Sequence, residues 1–128
     1  MGGRVHKFNA KPNIYNGIRY ASRMEADYAR DLDLFVQAGK VLYWNRPGPR
    51  ILVPGKLRSE RVTYQPDFEV AWNNPCGVEF IDIKGFMTQI FRIKALMWRQ
   101  AFPNDPLRII MKDGSTHRLS WLPNMIYA

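Results

Sequence analysis

Two amphipathic helical stretches, a block of short apolar runs between them and one further run after the second imply an α/β domain, with helices flanking a mixed sheet. Three observations carry this. Apolar residues recur at helical spacing from Met24 to Val36 and again from Ile90 to Phe102. Between those stretches the chain is punctuated by Pro47-Gly48-Pro49 and Pro54-Gly55, which mark turns between strands. Ahead of them, Asn16-Gly17 stands between Tyr15 and Ile18, the strongest short-range signal for a β-hairpin.

In chain order, residues 1–12 have no periodicity and read as a flexible basic arm, with Arg4, Lys7 and Lys11 placed to touch a phosphate backbone. Residues 13–128 read as a single domain, opening with the hairpin over residues 13–20. Ser22-Arg23-Met24-Glu25 fits a capping box, so a helix starts there, and Gly39 ends it. At 100° per residue, Met24, Tyr28, Ala29, Leu32, Phe35 and Val36 share one arc, and Glu25 falls near its middle. Strands are expected at Val41–Trp44, Ile51–Val53, Arg61–Val70 and Val78–Lys84, the third interrupted or bent at Pro66. Thr88 is a plausible N-cap for a second helix that Pro103 stops after Phe102. Ile90, Phe91, Ile93, Ala95, Met97 and Trp98 form its apolar arc, with Lys94 inside it. Leu107–Lys112 reads as a strand, Asp113-Gly114 as a turn, and the tail as room for one more strand.

The bulk numbers narrow the function. At 46% hydrophobic and 23% charged residues the chain is a folded domain rather than a disordered tail. Its single Cys76 excludes an internal disulfide and a cysteine metal cage, and suits a reducing compartment. No apolar run approaches a membrane span, and the first residues lack the apolar core of a signal peptide, so a cytoplasmic location without membrane contact is expected. The formal charge of +8 and a pI near 9.9 favour a polyanionic partner.

The chemistry concentrates in Pro66-Asp67 and Asp82-Ile83-Lys84. Strand side chains alternate, so Asp82 and Lys84 share one face while Ile81 and Ile83 take the other. A carboxylate inside so apolar a strand must be paired or bound to a cation. Hard divalent ions take oxygen ligands, and Mg²⁺ keeps waters beside one or two carboxylates and a substrate phosphate. Asp67 and Asp82 supply such carboxylates, with the backbone carbonyl of Ile83 as a third ligand; Lys84 would orient or deprotonate the attacking water or balance transition-state charge. Each feature has a plain alternative. Pro-Asp is common in turns, Glu25 can simply complete the capping box, and Lys94 can snorkel past the core to solvent or reach the site. Glu69 and Glu79 are expected to face solvent or the opposite side of their strands. His6 and His117 read as surface residues, and Trp44, Trp72, Trp98 and Trp121 as core.

With Glu25 on the first helix, Pro66-Asp67 … Asp82-Ile83-Lys84 resembles the PD-(D/E)xK nuclease superfamily, whose restriction-endonuclease-like core runs αβββαβ. Residues Asn16 to Ala26, Tyr64-Gln65-Pro66-Asp67-Phe68, Ile81 to Phe86, Phe91-Arg92-Ile93-Lys94 and Phe102-Pro103 are more narrowly similar to small phage-encoded members. The resemblance implies that Glu25, Asp67, Asp82 and Lys84 form the catalytic and metal-binding set, with Mg²⁺ or Mn²⁺ as cofactor. Gln65 and Lys94 are then placed to support the site or a substrate phosphate, and Arg19 and Arg23 join the N-terminal cations as DNA contacts. Asp82 stands where Glu is commoner, which the motif allows. The expected activity is metal-dependent DNA cleavage, selective for branched DNA in the manner of a homodimeric Holliday-junction resolvase. Two alternatives stand beside it: a sequence-specific restriction-like or transposon-type endonuclease, and a non-catalytic basic DNA-binding module.

Overall fold

The computed structural model describes residues 12–118. The hairpin forms as expected: β1 (Asn13–Tyr15) pairs antiparallel with β2 (Ile18–Tyr20), and Asn16 and Gly17 make the turn at φ 52° and 76°. Both central residues with positive φ define the turn that matches strand twist, which is why Asn-Gly belongs there. Helix α1 (Arg23–Gln37) is capped by Ser22, whose hydroxyl accepts from the Glu25 N–H at 3.1 Å. It is followed by Gly39 at φ 78°.

Five strands form the main sheet in the order β3-β6-β7-β8-β9: β3 (Val41–Asn45), β6 (Phe68–Asn73), β7 (Cys76–Lys84), β8 (Leu107–Met111) and β9 (Thr116–Arg118). Neighbours pair antiparallel except β7 and β8, which run parallel. Parallel pairing needs a crossover, and helix α2 (Gln89–Ala101) supplies it. Thr88 caps α2 by accepting from the Phe91 N–H at 3.1 Å. The remaining strands, β4 (Arg50–Val53) and β5 (Val62–Tyr64), make a separate antiparallel hairpin with a 3₁₀ turn at Arg58–Glu60. The run α1-β3-β6-β7-α2-β8 is thus the expected αβββαβ core, with β4–β5 inserted and β9 appended.

The strand expected over Arg61–Val70 is two strands in two different sheets, and Pro66 is the reason. Its ring removes the N–H that a continued ladder would need. Pro66 is itself buried, so the break is packed rather than loose. The alternation on β7 divides the core into two layers. Ile81 and Ile83 pack with Phe68 and Val70 against Ala26, Ala29 and Leu32 of α1. Phe80 faces the other way, with Leu107 and Ile109, onto Phe91, Ala95 and Trp98 of α2, and Leu52 and Tyr64 of the inserted hairpin close that layer. Burying side chains of this size stabilises by about 1.5–3 kcal/mol each before chain entropy is set against it.

Two details differ from the sequence expectation, one on helix α2 and one on strand β7. Ile90 and Ile93 are exposed, because α2 turns Phe91, Ala95 and Trp98 inward and leaves that flank of the apolar arc uncovered. Glu79 lies on the face opposite Asp82, as expected, but is buried rather than solvated. Its Oε1 accepts from Trp72 Nε1 at 2.8 Å and from Arg108 Nε and Nη2 at 3.1 and 2.8 Å. Asp33 plays a similar part at the hairpin, accepting from Tyr15 Oη at 2.6 Å and Trp44 Nε1 at 2.8 Å, and so fastens β1 and β3 to α1. Trp98 is fully buried, Trp44 and Trp72 are half-buried, and Trp121 and His6 lie outside the described residues. Among the described residues no helix is long and apolar enough to cross a membrane.

Candidate active site

The β6–β7 ladder ends at the pair Phe68↔Ile81, and one step further the same register sets Asp67 opposite Asp82. The ladder does not continue through the backbone. Instead the Asp67 side chain turns across and its Oδ2 accepts from the Ile83 N–H at 2.7 Å. The sequence explains this substitution: Pro66 stops the strand, and the next residue has a short acceptor able to satisfy the orphaned donor. Asp67 is thereby locked against the middle strand of the sheet.

Asp82 is almost wholly buried on that strand, facing α2. Its Oδ2 lies 3.1 Å from Lys84 Nζ, an ion pair short of a well-aligned hydrogen bond. Lys84 sits on the same face two residues on, its ammonium 4.6 Å from the centre of the Phe91 ring. Its side chain is about one-third exposed, and so can meet a ligand from solvent.

Glu25 is buried in the first turn of α1. Ser22 caps its N–H, which is half of a capping box, but the carboxyl is directed to Asp67. The consequence falls on Asp67. Burial, then the charge of Asp82, then the hydrogen-bonding Glu25 carboxyl push its pKa up from 3.8 to about 9, against the lowering effect of the Ile83 N–H. Crowded, desolvated carboxyls with one lysine beside Asp82 make a site short of positive charge.

Tyr64 completes the surroundings. It is the last residue of β5, three before Asp67, and its ring packs on Phe91 and Trp98 at 5.8 Å from each. Its buried hydroxyl lies beside the Asp82 carboxylate, without the geometry of a well-formed hydrogen bond. It lies close enough to Asp82 that burial first, and the Asp82 carboxylate second, raise its ionisation well above the ordinary range.

The other candidates separate from this cluster. Gln65 is exposed and donates from Nε2 to the Pro47 carbonyl at 3.0 Å, tying down the segment before β4 rather than facing the acids. Lys94 is half-buried one turn beyond Phe91, and among the described residues it forms no ion pair with the acidic trio. Arg23 is exposed and pairs at 3.6 Å with Asp27, and Arg19 is exposed with its carbonyl taken by Arg46. The Ile83 carbonyl lies on β7 between Asp82 and Lys84, with the Ile83 side chain turned to the α1 layer. Arg4, Lys7 and Lys11 lie outside the described residues.

Among the described residues no three His, Cys, Asp or Glu side chains form a ready-made metal cage. The donor set instead suits an ion that fills its shell with waters and phosphate oxygens, and the buried Asp82 carboxylate beside Asp67 is where such an ion would bind.

The chain belongs to the family described as "Protein of unknown function (DUF1064)", whose match covers residues 5–116. No curated protein and no solved structure matches it.

Proposed function

We propose that this family member is a metal-dependent DNA endonuclease of the PD-(D/E)xK type, acting as a homodimer on branched duplexes. The single observation that carries the reading is the meeting of Glu25, Asp67 and Asp82 at the open end of the β6–β7 pair, with Lys84 beside Asp82. Fold cost explains why this arrangement points to chemistry. A sheet gains nothing from packing three carboxyls together in its interior, and such local conflicts collect at functional sites.

Asp67 and Asp82 would hold Mg²⁺ or Mn²⁺, with the Ile83 carbonyl and Glu25 adjoining. When bound there, such an ion would lower the pKa of a coordinated water and neutralise charge on the phosphoryl oxygens. The chain's own residues do the rest. The Ile83 N–H fixes the direction of the Asp67 carboxylate, so the two aspartates keep their spacing without a ligand. Lys84, held by Asp82 and by the face of Phe91, presents an ammonium to the attacking water or to the transferred phosphate. Glu25 anchors Asp67 from the α1 side. The net charge of +8 brings the polyanion to the site. A second copy would account for the apolar side chains Phe86, Ile90 and Ile93, which stand exposed just after Lys84 and along the first turns of α2.

The test is cleavage of matched end-labelled substrates (four-way junction, fork, linear duplex and single strand) in Mg²⁺, Mn²⁺ or chelator, with light scattering for the oligomeric state. Paired, metal-dependent nicks confined to branched substrates, from a dimer, are the expected result. Cutting of linear duplex at one sequence would replace junction selectivity with a restriction-like specificity. Binding without cleavage under every condition would sink the enzyme and leave a basic DNA-binding module.

A further inference from the structure

Half of the chain's net charge lies on a part of the molecule that the phosphodiester site does not use. Residues 46–61 carry five cations against the single anion Glu60, a net +4 of the total +8. They run from the segment before β4 through the tip of the β4–β5 hairpin, which stands outside the five-stranded sheet. Three of the five cations are engaged within the fold. Arg46 lies over the Tyr20 ring at 4.5 Å and donates to the Arg19 carbonyl at 3.2 Å. Arg50 pairs with Asp105 at 2.7 Å and packs on Phe80, Phe102 and Trp98 at 4.4, 4.8 and 5.0 Å. Arg61 folds back onto the Gly55 and Lys56 carbonyls at 2.9 and 3.4 Å. That leaves Lys56 and Arg58, both exposed, on either side of Leu57, which is 62% exposed.

This tip is a built structure. Glu60 Oε1 accepts from the Leu57 N–H at 3.0 Å, and the 3₁₀ turn Arg58–Glu60 closes it. A Cβ on Gly55 would stand 2.6 Å from Glu60 Cβ and 2.9 Å from its carbonyl oxygen, so only glycine permits the closure. At the base, Leu52 and Tyr64 are buried in the α2 layer. A preorganised tip loses little freedom when it meets a partner. Two cations around an apolar side chain suit a nucleic-acid backbone, with ammonium and guanidinium on phosphates and the leucine against sugars. The chain beneath leads on to the site: nine residue steps join Arg58 to Asp67, at most about 30 Å of extended chain, or about nine base steps of duplex.

We propose that the tip of the β4–β5 hairpin is a duplex clamp, in which Lys56 and Arg58 hold backbone phosphates of the DNA arm within about nine base pairs of the scissile phosphate. The proposal rests on the nuclease reading for the identity of that arm and commits to duplex DNA as the occupant. It is tested by measuring binding of a duplex of about 30 base pairs between about 50 and 200 mM KCl, for wild type and K56Q/R58Q. Thermal melting of both proteins establishes that the variant is folded. Loss of two phosphate contacts lowers the slope of log K against log salt by about 2 and weakens binding at least about tenfold at the lower salt. A slope and affinity unchanged in the folded variant overturn the clamp. Hydrolysis of bis(p-nitrophenyl) phosphate by the wild type with Mn²⁺ reports the phosphodiester site separately. No hydrolysis together with a reduced slope would fail the nuclease reading and keep the clamp, and hydrolysis with an unchanged slope would do the reverse.

Discussion

At Asp67, one side chain finishes a β-ladder and helps form an acidic cluster, and both roles follow from the proline before it. Because its folded pKa is raised, this carboxyl contributes stability that is complete below about pH 4 and lost as pH rises through about 9 in metal-free protein. Asp67→Asn keeps an acceptor for the Ile83 N–H and removes the charge. Its melting temperature in chelator should therefore exceed that of wild type at pH 8 by a few degrees, with the gap closing towards pH 4. A lower melting temperature at pH 8 would mean that the acids do not repel one another in the fold. Tyr64 gives a second residue-level expectation. Tyr64→Phe deletes a buried hydroxyl whose polar neighbour, the Asp82 carboxylate, is poorly aligned with it, so chelated protein should melt within a few degrees of wild type. If that hydroxyl positions a ligand of the site, Mn²⁺ affinity measured by calorimetry should fall about tenfold; lower stability with unaltered Mn²⁺ affinity would assign Tyr64 to packing alone. Asp82 and Lys84 were legible in the sequence, since period-2 alternation puts both on one face of an apolar strand. Tyr64 was not legible as a neighbour of Asp82. A tyrosine in a short apolar strand reads as ordinary core, and only the inserted hairpin brings it there.

Among the elements, the helices and their caps followed from local chemistry: Ser22 and Thr88 each accept from the N–H three residues on. Which face of α2 is buried did not follow. A wheel treats every apolar residue as core, whereas β7, β8 and the hairpin cover only the flank carrying Phe91, Ala95 and Trp98. The split of Arg61–Val70 was foreshadowed by Pro66, but the assignment of its halves to separate sheets depends on pairing partners far along the chain. Glu79 shows the same limit, because its buried state depends on Arg108, distant in sequence and adjacent in the β7–β8 pair. Glu79→Ala should cost roughly 2–4 kcal/mol by chemical denaturation, since Arg108 and Trp72 would lose their acceptor in a buried site. It should leave Mn²⁺ affinity unaltered, as Glu79 lies on the face opposite Asp82. A cost below about 0.5 kcal/mol would show that the cluster is solvated rather than structural.

For the whole molecule, an αβββαβ core buries apolar layers on both faces of its sheet and gathers its conflicting charges at one end of the central strand. The strand order and the two layers account for stability; ionised side by side near neutral pH, the crowded carboxyls oppose it, and that contrast is the reason to assign them a function. The most direct test is cleavage of an end-labelled four-way junction by wild type and Asp82→Asn, in Mg²⁺ and in chelator, with DNA binding measured in the same samples. The account predicts cutting by wild type in Mg²⁺ alone, cutting reduced at least about a thousandfold in Asp82→Asn, and binding retained by both. Cleavage by Asp82→Asn at the wild-type rate, or cleavage persisting in chelator, would contradict it.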